Sequence, residues 1–286
     1  MRTRICLFVS AVFLCGACVP RAVTVRATAG LLENGVSAVY GERDPQFARD
    51  AMPGQLMLTE VLLKNDPENT DLLKSLAEGY FGYAFLFLEE EEPERAAEFY
   101  RRAADYGERV LRRQGLAGLA SASPKKRDSI LARARGADVP ALYWTASAWA
   151  GIANIRKNDT QALTFVPLAA AMMRRVLDMN PAYQHGGADI FFGVYYSGRP
   201  RLAGGDPDKG KAHFEAALRR TGRHYLMAQY LYAKFYSVAV MGEEQFKALL
   251  AEIADAPREA MPAAALPNAV AQSKAKKLLA RFDDLF

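Results

Sequence analysis

From Leu31 to the C terminus, apolar positions recur every three or four residues, the spacing of helices that bury one face. No run alternates apolar and polar residues between hairpin turns, so the predicted fold class is all-α. Asp44-Pro45, Asp138 with Pro140 close behind, and Asp206-Pro207 mark helix starts. At such a start the Asp accepts free amide hydrogens and the Pro sits where no amide donor is needed. The segment Gly79–Gly107, GYFGYAFLFLEEEEPERAAEFYRRAADYG, predicts a helical hairpin. Its second helix carries Ala96, then Phe99 and Tyr100, then Ala103, a small–aromatic–small pattern that lets two helices approach closely.

Recurrence of that unit predicts a tetratricopeptide-like helical-hairpin solenoid. The turn Asn65-Asp66-Pro67-Glu68-Asn69 ends one unit, and Asn180-Pro181 ends another. Counting forward from the first turn and back from Ala96 gives two registers that differ by seven residues, two helical turns. A first helix lengthened by two turns reconciles them, so the solenoid is expected to have lengthened helices. A second unit has Tyr143, Trp144 and Trp149 in its first helix and Ala169, Met173 and Val176 in its second. A third has Phe191, Phe192, Tyr195 and Tyr196, then Gly210, Phe214 and Ala217. A weaker pair covers Tyr225–Tyr236 and Glu243–Ile253, and a last helix runs from about Asn268 to Phe282. Residues 112–137 form an excursion with a short helix.

The N terminus adds a compartment. Arg2 and Arg4 precede the ten-residue apolar run Ile5–Leu14, which is too short to span a bilayer and suits a signal segment. Gly16 and Ala17 then precede Cys18, which resembles a bacterial lipobox. The expected organisation is a signal peptide at 1–17, Cys18 as the lipidated residue, a tether at 18–29 and one helical domain at 30–286. All three cysteines lie at or before the cleavage point, which leaves no disulfide framework and no Cys-based site. The net charge of +5 becomes +3 without residues 1–17, too weak a basic excess to imply nucleic acid.

Candidate chemistry is sparse. His185 and His224 are read as turn residues and His213 as a helix-surface residue, and no two share metal-ligand spacing. Glu89–Glu92 ends a helix ahead of Pro93 and reads as a solvated turn. Gly204-Gly205-Asp206-Pro207 lacks the Lys-Ser/Thr ending of a phosphate loop. Lys125-Lys126-Arg127 reads as a solvated basic loop. No catalytic residue, metal or cofactor is expected. The positive signal is aromatic: Tyr80, Tyr83, Phe87, Trp144, Trp149, Phe191, Tyr195 and Tyr196 concentrate in first helices, too many for a small hairpin to bury. They are the expected ligand- or partner-binding residues.

Four blocks carry a resemblance: LAEGYFGYAFLF; ALYWTASAW after Asp138-Val139-Pro140; FFGVYYSGRP followed by GGDPDKGKAHFEAAL; and LPNAVAQSKAKKLLARFDDLF. In this order they resemble the T-component lipoproteins of TRAP (tripartite ATP-independent periplasmic) transporters. The resemblance implies a periplasmic, lipid-anchored, non-enzymatic protein that forms oligomers, specifically trimers. It also implies pairing with the solute-binding P-component and a channel or cleft for a small hydrophobic ligand. The alternative is a general envelope-assembly scaffold lipoprotein of the same repeats, because fold does not fix function.

Overall fold

The computed structural model describes residues 38–257 and 259–286. The signal segment, Cys18 and the tether lie outside the described residues. Among those described there are thirteen α-helices and no strand. Helix α1 (Pro45–Asn65) starts where predicted, with the Asp44 carboxylate accepting the amides of Gln46 and Phe47 at 2.9 and 3.2 Å. Helix α2 (Thr70–Tyr83) is capped by Asn69 in the same way and continues through a π turn, Ala84–Leu88, in which the Glu89 amide donates five residues back to Ala84. The helix is therefore lengthened, as the two registers required.

After the Glu89–Glu92 turn come α3 (Pro93–Arg113) and the short α4 (Pro124–Leu131) within the excursion. Next are α5 (Val139–Ile155), α6 (Thr160–Leu163) and α7 (Phe165–Met179). Helices α8 (Tyr183–Ser197) and α9 (Pro207–Thr221) follow, then α10 (Leu226–Leu231) with a second π turn, Tyr232–Ser237. The chain ends with α11 (Glu243–Asp255), α12 (Ala265–Leu279) and α13 (Phe282–Leu285). Asp206 caps α9 through the Lys209 amide at 3.2 Å. Asp138 behaves differently from its expected role: its carboxylate accepts the Arg135 amide at 2.7 Å and so closes the turn before α5.

Consecutive helices pair: α1 with α2, α2 with α3, α3 with α5, α5 with α7, and α8 with α9. The approaches are close. A Cβ on Gly151 of α5 would lie 2.6 Å from the Tyr100 ring of α3, so only glycine fits there. Tyr100, Phe214, Ala96, Ala103, Ala217 and Met173 are all fully buried at these seams. Phe282 and Phe286 at the C terminus stack on each other and pack at an angle against Phe246. The last long helix, α12, returns to touch α1.

What holds that return is the acidic run. Glu89 accepts from the Tyr100 hydroxyl and from Asn154 Nδ2 at 3.4 Å. Glu90 accepts from the Tyr230 hydroxyl and from Lys234 at 2.8 Å, with Lys274 at 3.6 Å. Glu91 pairs with Arg49 at 2.8 Å and Lys277 at 3.1 Å, and Glu92 with Arg95 at 2.9 Å. Four successive carboxylates thus tie α1, α3, α5, α10 and α12 to the end of α2. The run is a partly exposed turn, as the sequence predicts, and it is also a clasp between distant helices.

Burial of the Glu90 side chain, 29% exposed, pushes its pKa up, but Lys274 and Lys234 and the hydrogen bonds from Lys234 and Tyr230 outweigh it and hold it at about 2. Burial pulls the Lys274 ammonium down and Glu90 draws it back up. A depressed carboxylate stabilises the fold above its unfolded value, and that contribution disappears as pH falls through the folded one. Stability should therefore hold above about pH 5 and fall between about 4.5 and 2, as followed by denaturant midpoints. Glu90→Gln should cost about 3 kcal/mol at pH 7, because it leaves two ammonium groups facing a neutral amide, and should flatten the acid limb.

Candidate functional site

The inner faces of α2, α5, α8 and α10 supply most of a cavity of about 310 Å³, with Tyr100 of α3, Val166 and Ala169 of α7 and Pro267 of α12 also lining it. Helices α2, α5, α8 and α10 run in the same direction, as their end-to-end contacts show. At one end Tyr143 of α5 meets Tyr183 of α8 at 5.2 Å, and His185 of α8 meets Tyr225 before α10 at 4.7 Å. At the other end Asn154 of α5 reaches Glu89 after α2, and Gly198 after α8 lies against Phe235 of the second π turn. Between the ends the wall is aromatic and aliphatic. Phe81 and Phe85 stack at 5.7 Å, Phe81 packs on Trp144 at 5.4 Å, and Phe191 stacks on Tyr195 at 5.8 Å. Ile190, Val194, Met227 and Leu231 complete it.

The two ends differ in chemistry. At the amino-terminal end Gln184, His185 and the Tyr143 and Tyr225 rings line the cavity. Burial pushes both phenols up and the His185 imidazole down, so all are neutral near pH 7. Gln184, His185 and Gly186 all take left-handed backbone conformations, φ 47°, 58° and 81°. Two of these are non-glycine residues, a strain tolerated only where surrounding packing fixes it. At the carboxyl-terminal end stand Glu89, Asn154, Lys157 and Arg199.

Residues 41–286 match the family described as TRAP transporter T-component. The chain belongs to that family. No curated protein matches it significantly. Among the described residues of this T-component, no helix is long and apolar enough to cross a membrane, and no group of three or more His, Cys, Asp or Glu side chains is placed to hold a metal ion.

The residues expected to bind divide in two. Trp144, Phe191 and Tyr195 stand in the cavity wall. The other five pack elsewhere. Tyr80 stacks on Tyr106 of α3 at 5.9 Å and donates to Glu60 at 2.7 Å. Tyr83, 5% exposed, contacts Phe99 and Phe87 at 5.6 Å each, which places all three at the α2–α3 seam. Trp149 stacks on Phe165 at 3.7 Å and donates to Glu108 at 3.3 Å. Tyr196 lies over His213 and Phe192 at 5.9 and 6.0 Å. On α2 the stripe that lines the cavity is Phe81 and Phe85, beside the Tyr80–Tyr83 stripe. Their four-residue spacing was visible in the run. Tyr143, Tyr225 and Phe235 also line the cavity.

His185 sits in the left-handed kink at the start of α8, in keeping with a turn residue, but half-buried in the cavity wall. His213 lies 2.9 Å from the buried Asp189, which also accepts from Arg220 at 3.2 Å, and this joins α8 to α9. His224 is an exposed turn residue, as read.

These placements separate two tyrosines. Tyr83→Ala removes a buried seam ring and should cost about 3 kcal/mol in urea unfolding. Tyr195→Ala, on a partly open wall, should cost about 1 kcal/mol or less. The reverse order would show that the cavity ring is the one supporting the fold.

Proposed function

We propose that this T-component is a lipid-anchored periplasmic accessory of a TRAP transport system. In this reading it takes a small hydrophobic ligand into its aromatic cavity and passes it to, or receives it from, the solute-binding P-component. The cavity carries the proposal. Its volume lies at the lower end of the range for small-molecule pockets, and its walls are apolar with a few polar groups at the ends, as such sites are built. Trp144, Phe191 and Tyr195 are the site residues retained from the sequence, joined by Phe81, Phe85 and Tyr143.

The remaining parts rest on the sequence. The Arg-flanked apolar run and the small residues before Cys18 support lipidation at Cys18 and export. An acylated N terminus would hold the domain near a membrane permease and raise its effective concentration there. The helical hairpins are read as tetratricopeptide-like, with the longer α2 as a family variation. Assembly as a homotrimer follows from the family resemblance. The P-component is the proposed partner, and recovery of solute-binding proteins from detergent extracts tests it. Consistent recovery of outer-membrane assembly factors instead would favour the scaffold alternative.

The two tryptophans give a direct readout of the cavity. Titration with a small apolar alcohol such as decanol should change the emission of Trp144. Trp144→Phe should abolish that change, and Trp149→Phe should leave it intact. A response that follows Trp149 would place binding outside the cavity.

A further inference from the structure

The cavity walls carry three formally charged side chains: Glu89, Lys157 and Arg199. All three stand at the carboxyl-terminal end. Glu89 is occupied, since Tyr100 and Asn154 both donate to it. The cations are not neutralised. Lys157, two residues past the end of α5, makes no hydrogen bond or ion pair with any described residue. Arg199, two residues past the end of α8, has no carboxylate partner among the described residues. Its guanidinium lies 3.4 Å over the Tyr195 ring and is oriented by the carbonyls of Tyr195 at 2.9 Å and Gly204 at 3.3 Å. Those two bonds use two of the five guanidinium N–H groups and fix the plane of the rest. Because α5 and α8 run in the same direction, equivalent positions past their ends place both cations at one mouth of an apolar shaft.

We propose that the ligand is an amphipathic monoanion: an apolar body among Phe81, Phe85, Trp144 and Phe191, and a carboxylate at the Lys157–Arg199 end. This rests on reading the cavity as a ligand site. The asymmetry of the ends selects one charge and its sign. A second carboxylate at the Gln184–His185 end would meet no cation in the wall, would lie near the Glu78 carboxylate that accepts from Gln184 at 3.5 Å, and would lose its hydration without a counter-charge. An ammonium head would meet two cations and a carboxylate already engaged by two donors. A neutral alcohol would fill the shaft but leave both cations without a counter-charge.

The test compares decanoate, decanol and decylamine on the full chain at low salt, with Trp144 emission as the readout. Decanoate should bind about tenfold more tightly than decanol, and decylamine more weakly than either. Lys157 is exposed and unpartnered, so Lys157→Met leaves the fold undisturbed. It should weaken decanoate about five- to tenfold and decanol less than twofold. Added salt should reduce the decanoate preference. Equal affinity for decanol and decanoate, with Lys157→Met without effect, would overturn the anionic head while leaving an apolar site intact. Failure of every probe to bind would overturn this proposal together with the reading of the cavity as a ligand site.

Discussion

The carboxylates of Glu89–Glu92 are the contacts on which the arrangement depends. Helices that pair only with neighbours in sequence build an open curve, and nothing local brings its ends together. Here Glu90 holds Tyr230 and Lys234 of α10 and the buried Lys274 of α12, and Glu91 holds Lys277 of α12 and Arg49 of α1. Removing carboxylates from water is costly, and these offset the cost with several donors each. The energetics favour an all-or-none closure: losing one carboxylate leaves ammonium groups, one of them buried, without a counter-charge.

Closure and cavity are linked through a single turn. Glu89 lines the cavity while its neighbour Glu90 anchors α10 and α12, which supply and back the far wall. The π turn just before them has a geometric part in this. It adds a residue per turn, so the side chains after Tyr83 rotate relative to those before. The aromatic surplus of α2 is shared between two partners already before that turn, with Tyr80 and Tyr83 against α3 and Phe81, joined by Phe85, toward the cavity. A helix apolar on all sides needs two such partners.

Much of the fold was legible. The caps at Asp44 and Asp206, the lengthened α2, the small–aromatic–small seams and the short helix in the excursion are local patterns, set by neighbours within a few residues. Three of the eight expected site residues reach the cavity because the first helices do supply most of its walls. Of the other five, Trp149 and Tyr196 pack on Phe165 and His213, while Tyr80, Tyr83 and Phe87 lie at the α2–α3 seam. Periodicity says that a helix has buried faces, but on α2 every face is apolar, and no spacing says which stripe meets α3 and which meets open space. The acidic run is legible as a turn but not as a clasp for a related reason: Tyr230, Lys234, Lys274 and Lys277 are 140 to 186 residues away along the chain.

By itself the sequence determined an all-α chain, the positions of its helices, the family to which it belongs and the helices that carry the aromatic rings. Only the tertiary structure decided which rings enclose space, that the acids form a clasp, and that Lys157 and Arg199 stand at one mouth. Helix formation and capping answer to residues one turn apart, so they can be read along the chain. A cavity and its charge are set by where separate helices come to lie, and those positions depend on contacts between residues far apart in sequence.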